Sequence, residues 1–334
     1  MLTIAIDVMS GDHEPRERVA GALRALADDA ELRALLVGSA EPIEAALRGA
    51  PASVRARVEH VAATEIVAMD EPPREAIRRR KNSSMRIAID LVKQGRAAAC
   101  VSAGNTGALM AMAHFVLKTL ENVERAAIMS AIPAAHGHTH MLDLGANTTA
   151  TPEQLRQFAT MGAIVARDVH GIENPRVGLL NVGVEDIKGH AVVQAAHALL
   201  AASPLNYVGF VEGDAIFSGA VDVVVTDGFT GNVALKTMEG LADFIGDRLR
   251  HHFGASVRNR IAGLVARPVL RRIAAELDPR HYNGACMVGL KGIVVKSHGR
   301  ADRIAFARAV SLAAHAARSG LTAHIAQALE TQGS

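Results

Sequence analysis

Residues 99–110 read Ala-Cys-Val-Ser-Ala-Gly-Asn-Thr-Gly-Ala-Leu-Met, and residues 223–235 read Val-Val-Val-Thr-Asp-Gly-Phe-Thr-Gly-Asn-Val-Ala-Leu. Each stretch starts as a short apolar run typical of a buried strand, passes through Gly-x-Thr-Gly and ends in a helix-forming run. Glycine allows a tight turn after a strand, and Asn or Thr can cap the next helix. The pair predicts one strand–turn–helix unit used twice, as expected in a parallel α/β sheet.

The rest of the chain shows the same alternation of short apolar runs and longer helical patterns. The predicted strands are Leu2–Val8, Leu32–Val37, Ala98–Ser102, Arg125–Ile132, Met141–Leu144, Arg176–Val182, Tyr207–Val211, Val221–Thr226 and Gly292–Val295. The predicted helices are Glu17–Asp28, Ser84–Lys93, Thr106–Leu120, Pro152–Val169, Lys188–Ala201, Gly231–His252 and Arg303–Leu329. This order indicates an open, mostly parallel sheet in an α/β/α sandwich, which we predict to be a single domain over residues 1–334.

Composition excludes several classes of protein. The net charge of +2 is too small to indicate a polyanionic partner, and the 3% aromatic content without Trp disfavours a single-stranded nucleic-acid binder, so no nucleic acid is expected. The two cysteines, Cys100 and Cys286, form neither a disulfide framework nor a CxxC site. We expect a cytoplasmic protein, since no signal peptide and no apolar run of about 18 residues is visible.

Polar residues follow several predicted strands. Asp7, Asn147, Asn181, Asp227 and Lys296 all lie at or just beyond such strand ends. Ligands of open α/β sheets bind beyond the carboxyl ends of the strands, so we assign these residues to substrate binding. Taken one at a time, each is also explained as an ordinary turn residue.

The two Gly-x-Thr-Gly turns are candidate anion sites, because free backbone amides and the helix dipole favour negative charge there. The residues assigned to them are Gly104, Asn105, Thr106, Gly107, Thr230, Gly231 and Asn232. Two plain capped turns are the alternative interpretation.

Lys188 and His298 are the candidate reactive side chains. Lys188 is predicted in the first turn of a helix, where a cation opposes the dipole, and this local conflict suggests a role in holding phosphate. The alternative is a surface lysine paired with Glu185. Lys296 and His298 alternate at a strand end and are predicted to face one side.

Residues 248–280 are predicted to form a basic amphipathic helical hairpin. Val257, Ile261, Leu264 and Val265 share one helical stripe, and Pro268 is predicted to break the run and start a second helix. Such a surface suits an anionic membrane or an acidic carrier protein, while a dimer interface is the alternative. The residues assigned to this contact are Arg260, Leu264, Val265, Arg267, Val269, Arg271 and Ile273.

His136, His138 and His140 alternate and resemble a metal-ligand set. No acidic ligand has a telling spacing, so we interpret the run as an incidental strand edge and expect neither metal nor cofactor.

These motifs, in this order, resemble the phosphate acyltransferase (PlsX) family of bacterial phospholipid synthesis. The matching stretches are Ala5–Asp12, Arg78–Met85, Val101–Ala111, Asp143–Asn147, Asn181–Gly189, Phe210–Gly213, Thr226–Gly240, Tyr282–Gly289 and Lys296–Asp302. One departure is Ser10, where the family usually has glycine. The resemblance implies an isocitrate dehydrogenase/phosphotransacetylase-like fold and a homodimer with a protruding helical hairpin.

The resemblance also implies a reaction and partners. The family converts fatty acyl-[acyl carrier protein] and inorganic phosphate into acyl phosphate and free carrier protein, and a membrane glycerol-3-phosphate acyltransferase uses the product. We therefore expect peripheral association with the inner face of the cell membrane. In our mechanistic hypothesis Lys188 neutralises phosphate, Asn232 helps bind the second anionic centre, and His298 donates a proton to the leaving thiolate.

Two other classes compete with this interpretation. An NAD-linked dehydrogenase of the isocitrate type would share the fold. A non-catalytic membrane adaptor built around residues 256–277 would leave the polar strand ends unexplained.

Overall fold

The computed structural model describes residues 1–276 and 278–332. Its strands are β1 (Leu2–Asp7), β2 (Leu32–Gly38), β3 (Val58–Ala62), β4 (Ala99–Ser102), β5 (Ala127–Pro133), β6 (His138–Leu142), β7 (Val177–Leu180), β8 (Tyr207–Val211), β9 (Val223–Val225), β10 (Ala285–Val288) and β11 (Ile293–Lys296). Its helices are α1 (Pro15–Asp28), α2 (Ala40–Arg48), α3 (Ala52–Arg55), α4 (Pro73–Arg79), α5 (Ser84–Lys93), α6 (Thr106–Leu117), α7 (Pro152–Asp168), α8 (Ala191–Ala201), α9 (Ala215–Ser218), α10 (Gly228–Gly254), α11 (Val257–Glu276), α12 (Arg303–Arg318) and α13 (Leu321–Gln332), and a 3-10 turn spans Pro279–Tyr282.

The strands form one 11-stranded sheet in the order β3-β2-β1-β4-β11-β10-β5-β6-β9-β7-β8. Strands β3, β2, β1, β4 and β11 are mutually parallel, and so are β6, β9, β7 and β8. Between these sets, β10 and β5 are antiparallel to both of their neighbours. Three antiparallel steps separate the sets, so they run in opposite directions. The mostly parallel α/β sandwich is confirmed, but its strands end at two opposite edges instead of one.

Helix α10 connects these two edges. The chain leaves the sheet at the end of β9 and re-enters it at Ala285, which pairs with Lys296 at the end of β11. Those two points lie at opposite edges because β9 and β11 run in opposite directions. A helix of 27 residues is about 40 Å long, which is longer than any strand here, so α10 can cross the sheet and project beyond it.

Buried side chains cover both faces of the sheet. In β1, Ile4 and Ile6 join the core under one face, while Ala5 joins the core under the other. The first core also contains buried residues of α1, α7 and α12, and the second contains those of α5 and α6. Ala234, Leu235 and Met238 of α10 pack on the second core, so α10 lies on the same face as α6.

The two predicted strand–turn–helix units both exist, but their glycines differ in position. In the first unit Asn105 caps α6 after Gly104, whereas in the second Asp227 caps α10 before Gly228. Gly231 therefore lies inside the first turn of α10, and a methyl group on it would overlap the carbonyl oxygen of Asp143. The two units are alike in sequence and in the order of their elements, but the turn has a different geometry in each.

Several predicted boundaries were wrong for local reasons. Helix α8 begins at Ala191, not Lys188, because Gly189 has a φ of 91° that a right-handed helix does not allow. The predicted helix Arg303–Leu329 is divided by Gly320 at a φ of 67°. Pro268 lies inside the continuous helix α11, so it does not start a second helix, and the hairpin is formed by α10 and α11. Strands β3 and β10 and helices α2, α3, α4 and α9 were not predicted.

Within residues 1–276 and 278–332, no helix combines the length and the apolar character needed to cross a bilayer. The single domain over residues 1–334 stays a prediction, and residues 277, 333 and 334 lie outside the described part of the chain.

We predict that Gly231→Ala lowers the free energy of unfolding by about 1–3 kcal/mol, since α10 must move away from Asp143. Gly240→Ala is the matched control in the same helix. A methyl group there meets nothing within 4 Å, so helix propensity should stabilise the protein by about 0.5–1 kcal/mol. Urea unfolding followed by circular dichroism measures both, and equal effects of the two variants would contradict the close contact.

Candidate anion-binding site

The N-terminus of α6 presents free backbone amides at the edge where β4 ends. The amides of Asn105, Thr106 and Gly107 donate no hydrogen bond to another of the described residues. The Asn105 side chain is already engaged: its Oδ1 accepts from the amide of Ala108 at 3.0 Å, and its Nδ2 donates to the carbonyl of Met69 at 2.8 Å. The amides of this turn, and not the Asn105 side chain, are therefore available to an anion.

Lys296 places a buried positive charge beside this turn. Its ammonium group donates to the backbone carbonyls of Ser297 and, at 3.4 Å, Ala103. Burial lowers the pKa of Lys296 to about 8. The cation Arg18 contributes to this shift, whereas the carboxylates of Asp12 and Asp7 oppose it. Lys296, which was predicted to bind substrate, thus lies under the turn that contains Gly104. Its side chain loses its positive charge just above neutral pH.

Asp7 shapes this edge from within. The carboxylate is fully buried, and its Oδ2 accepts from the hydroxyl of Ser102 at 2.6 Å. Its Oδ1 accepts from the amides of Met9 and Ser10 at 3.1 and 3.3 Å. Because these bonds hold its buried carboxylate, Asp7 orients the ends of β1 and β4.

Arg18 is a residue of this edge that the sequence interpretation missed. Its side chain is fully buried and donates to the backbone carbonyls of Ser10, Ala301 and Gly299, the last at 2.8 Å. Burial lowers the pKa of Arg18, while Asp12 and Asp7 oppose that effect. Its guanidinium joins the loop after β1 to the loop after β11. A helical arginine inside the otherwise apolar stripe of α1 was the available signal.

His298 follows Lys296 on the same loop. Its Nδ1 accepts from the amide of Arg300 at 3.2 Å, so in the neutral ring the proton lies on Nε2. His298 is exposed, but partial desolvation of its ring, the cations Lys296 and Lys236, and Arg300 lower its pKa, while Glu239 opposes them. At neutral pH the ring is therefore uncharged and can donate one hydrogen bond from Nε2.

Asp143 organises the opposite edge, where β6 ends. Its buried carboxylate accepts from the amides of Ile128, Gly145, Ala146 and Asn147 at 2.7–3.2 Å. Burial raises the pKa of Asp143, although these hydrogen bonds act in the opposite direction. The Asn147 side chain donates to Asp143 and, at 2.8 Å, to the carbonyl of Ala126. The amide nitrogen of Asn147, predicted to bind substrate, is thus engaged in holding the loop.

Strand β9 ends beside β6, and the start of α10 follows it. Asp227 caps this helix: its Oδ1 accepts from the amide of Thr230 at 2.9 Å, and its Oδ2 accepts from the Thr230 hydroxyl at 2.8 Å. Gly231 packs on Asp143, and the exposed side chain of Asn232 lies beside Gly145. Asp227, Thr230 and Gly231 therefore form the turn, while Asn232 offers its amide to the surroundings.

Lys188 lies in the exposed loop after β7, the strand next to β9. Its backbone carbonyl accepts from the side chains of Asn181, at 3.2 Å, and Gln194. None of the ion pairs of the described residues includes Lys188, so the predicted alternative pairing with Glu185 is not formed. Since β7, β9 and β6 are adjacent and parallel, the loops that follow them share one edge.

One face of α10 links the two edges. Asn232, Lys236 and Glu239 are spaced i, i+4 and i+7, so they lie on the same side of the helix. Asn232 lies beside the loop after β6, while Lys236 lowers the pKa of both Lys296 and His298 at the end of β11. The structure thus places Lys188, Asn232 and Asp227 at one edge of the sheet and Lys296, His298 and Gly104 at the other.

Lys236 and Glu239 were also missed by sequence reasoning. Their spacing from Asn232 was the signal that could have found them, because side chains at i and i+4 share a helix face.

The hairpin projects apolar side chains that the chain itself does not cover. In α11, Ile261, Leu264 and Val265 are 60%, 66% and 76% exposed, and none of the described residues of that helix is buried. Its other face packs on α10, where Gly263 lies against Phe253. The large apolar residues of α10 that are likewise exposed are Phe229, Val233, Leu241, Phe244, Ile245 and Leu249. Exposed apolar stripes of this size indicate a surface that binds another protein or a membrane.

Residues 2–324 match the model of the family described as "Fatty acid synthesis protein". The protein named "Phosphate acyltransferase" from Alkalilimnicola ehrlichii is 54% identical over 330 residues, which cover 99% of this chain and 96% of that relative. The phosphate acyltransferase of Methylococcus capsulatus is 54% identical over 315 residues, or 94% of this chain and 92% of the relative. The chain belongs to the phosphate acyltransferase family. It is therefore an enzyme of the acyltransferase class.

Solved structures agree on the fold. A phosphotransacetylase from Streptococcus pyogenes superimposes with a TM-score of 0.63 at 16% identity, covering 95% of this chain and 94% of that one. The EutD phosphotransacetylase of Staphylococcus aureus gives 0.59 at 15% identity, with 95% and 94% covered. The predicted phosphotransacetylase-like architecture is confirmed.

The lowered pKa of Lys296 predicts that kcat at saturating phosphate falls as the pH rises through about 8, since the cation is present only below its pKa. Lys236→Gln removes a neighbouring cation that lowers the pKa of Lys296. The pH at which kcat falls should therefore be higher in this variant, even where its maximal kcat also changes. Rate profiles between about pH 6.5 and 9.5 measure both effects. A fall of kcat at an unchanged pH in Lys236→Gln would assign the titration to another group.

Proposed function

We propose that this acyltransferase converts fatty acyl-[acyl carrier protein] and inorganic phosphate into acyl phosphate and free acyl carrier protein. The observation that carries this proposal is the face of α10, which runs from one anion-binding turn to the other with Asn232 and Lys236 on it. Phosphate is an anion, and the uncharged thioester gains negative charge on its carbonyl oxygen and then on its sulfur as phosphate attacks. An enzyme that joins them needs two cationic or amide-lined positions close together, and both ends of this face offer such groups.

Phosphate binds beside Lys188 in this proposal. Lys188 is exposed and outside every ion pair of the described residues, so its ammonium group can bind phosphate without breaking another contact. Phosphate at neutral pH is already an anionic nucleophile, so no strong general base is needed. Asn232, in the first turns of α10, donates to the oxyanion of the attacked thioester or to a phosphate oxygen.

The thioester carbonyl meets the phosphate oxygen, and the leaving sulfur faces Lys296 and His298. A phosphate oxygen forms a bond to the carbonyl carbon, the carbon–sulfur bond breaks, and the electron pair leaves with the sulfur. His298 donates a hydrogen bond from Nε2 to that thiolate, and the nearby cations stabilise its charge. The carrier thiolate then takes a proton from solvent or from this imidazole.

Direct transfer is favoured over an acyl-enzyme intermediate. Cys100 and Cys286 are the two thiols of the chain, and both are buried in strands of the sheet. Burial raises the pKa of Cys286 to about 12 and that of Cys100 further, so neither is a thiolate at neutral pH.

The hairpin serves attachment in this proposal. Its apolar stripe and the arginines Arg260, Arg267 and Arg271 together suit an anionic membrane surface. Val269 and Ile273, 61% and 47% exposed, continue the stripe along α11. A homodimer at the inner face of the cell membrane would deliver acyl phosphate to a membrane glycerol-3-phosphate acyltransferase.

Lys188→Ala should lower acyl-phosphate formation at least about tenfold, because one lost charge-assisted contact to phosphate is worth about 1.5–3 kcal/mol. Purified protein is incubated with acyl carrier thioester and phosphate, and released thiol is followed with time. Lys93→Ala is the matched control, since Lys93 is also exposed but lies in the last turn of α5. Folding is checked by thermal unfolding. Wild-type turnover by folded Lys188→Ala would remove Lys188 from the mechanism.

Leu264→Glu should release the protein from anionic vesicles while soluble turnover persists, since it puts a charge into the apolar stripe. Vesicle sedimentation and turnover are measured together, and Lys188→Ala should show the reverse pattern. Sedimentation velocity of the same samples reports the oligomeric state. Unchanged vesicle binding, with a shift from dimer to monomer, would assign the stripe to the subunit interface instead.

A further inference from the structure

Three histidines converge on the face of the sheet opposite to α10. His138 and His140 come from β6, and His170 comes just after α7, which packs on that face. One ring nitrogen of each lies within 4.8 Å of one ring nitrogen of the others. The ring centroids of His140 and His170 are 4.2 Å apart, and those of His138 and His140 are 4.6 Å apart. Two alternating residues of a strand thus meet a third that is distant in sequence.

The hydrogen bonds of His140 leave one ring nitrogen free. Its ring is buried, 1% exposed, and its Nδ1 lies 3.3 Å from the backbone carbonyl oxygen of Asp222. A carbonyl only accepts, so Nδ1 carries the proton in the neutral ring and Nε2 carries a lone pair. Nε2 has no hydrogen-bond partner, and neither has Nε2 of His138. A metal-bound histidine has this arrangement, in which the other ring nitrogen donates to a carbonyl.

The environment keeps these rings uncharged. Burial lowers the pKa of His140 well below its ordinary value and that of His170 to about 4, and it also lowers the pKa of His138. Neutral imidazoles are the form that binds a metal, so protons do not compete at neutral pH. Two buried nitrogens without a partner are costly to a fold unless something satisfies them.

We propose that His138, His140 and His170 form a binding site for one divalent transition-metal ion of the Zn²⁺ type. Three imidazoles and no carboxylate match the preference of Zn²⁺, Ni²⁺ or Co²⁺ and disfavour Mg²⁺ and Ca²⁺. The carboxylate of Asp222, which raises the pKa of His138, is occupied by Arg176 at 2.9 Å.

The site opens to a cavity that leaves room for a further ligand. This cavity of about 250 Å³ is lined by His140 and His170, and also by His281, Tyr282 and His315. Metal bound here would join β6 to the end of α7 and face the 3-10 turn that follows the hairpin. It lies across the sheet from α10, so the ion acts on stability and not in acyl transfer. The sequence interpretation of an incidental strand edge did not include His170.

The test is metal retention by the full chain. Metal-free protein is mixed with one equivalent of Zn²⁺ near pH 7.5, desalted and analysed by elemental mass spectrometry. We expect about one ion per chain for the wild type, less than a tenth of that for His170→Ala, and a higher midpoint of thermal unfolding with Zn²⁺ for the wild type alone. His136→Ala is the matched control, since His136 precedes the same strand but is exposed and outside the group.

Two results would overturn the proposal. One is a wild type that retains no Zn²⁺, and the other is retention by His170→Ala equal to that of His136→Ala, which would indicate adventitious binding by surface histidines. His140→Ala removes a buried ring and can impair folding, so His170, which is only partly buried, carries the test. Co²⁺ substitution adds an independent readout. Intense visible d–d bands indicate a four-coordinate site, and their loss in His170→Ala assigns that site to the group.

Discussion

Helix α10 fits against the end of β6 only because residue 231 is glycine. The backbone of its first turn touches the carbonyl of Asp143, and Asp143 is itself fixed by amides from its own loop and from β5. That contact sets where α10 begins and the direction in which it crosses the sheet. The positions of Asn232 and Lys236, and of the hairpin beyond them, follow from it. Asp143 and Gly231 therefore serve the site without needing to contact a substrate.

The reversal of strand direction gives this crossing helix its importance. In a fully parallel sheet, all loops after the strands would gather at one edge and could share a ligand directly. Here the turn at Gly104 and the loop at Lys188 belong to strand sets that run in opposite directions. A residue row on α10 is the physical link between them, because Asn232 lies beside one set and Lys236 acts on charges in the other. In the proposed reaction, phosphate and the thioester can thus be held from two sides.

Local features of this fold were predictable, and non-local ones were not. The apolar runs and caps predicted β1, β2, β4, α5 and α7 closely, since strand and helix signals are contained within each segment. The antiparallel steps depend on β10, a four-residue strand containing Cys286 and Met287, whose pattern gives no direction. Lys188 was placed in a helix because Gly189 was not recognised as a stop. His170 joins His140 through packing alone, which no spacing in the sequence encodes.

The two lysines of the candidate site differ in burial: Lys296 is buried and Lys188 is exposed. This difference suits them to different roles. Lys296 is buried and already bonded to carbonyls, so its position is fixed before substrate arrives, at the cost of a pKa lowered to about 8. Lys188 is exposed on a loop, where we propose that it binds phosphate. A fixed cation suits a charge that develops during the reaction, because no reorganisation is needed at that moment. A mobile cation suits a charge that has to be captured from solvent. The division fits the proposed roles, in which the leaving thiolate lies near Lys296 and the incoming phosphate near Lys188.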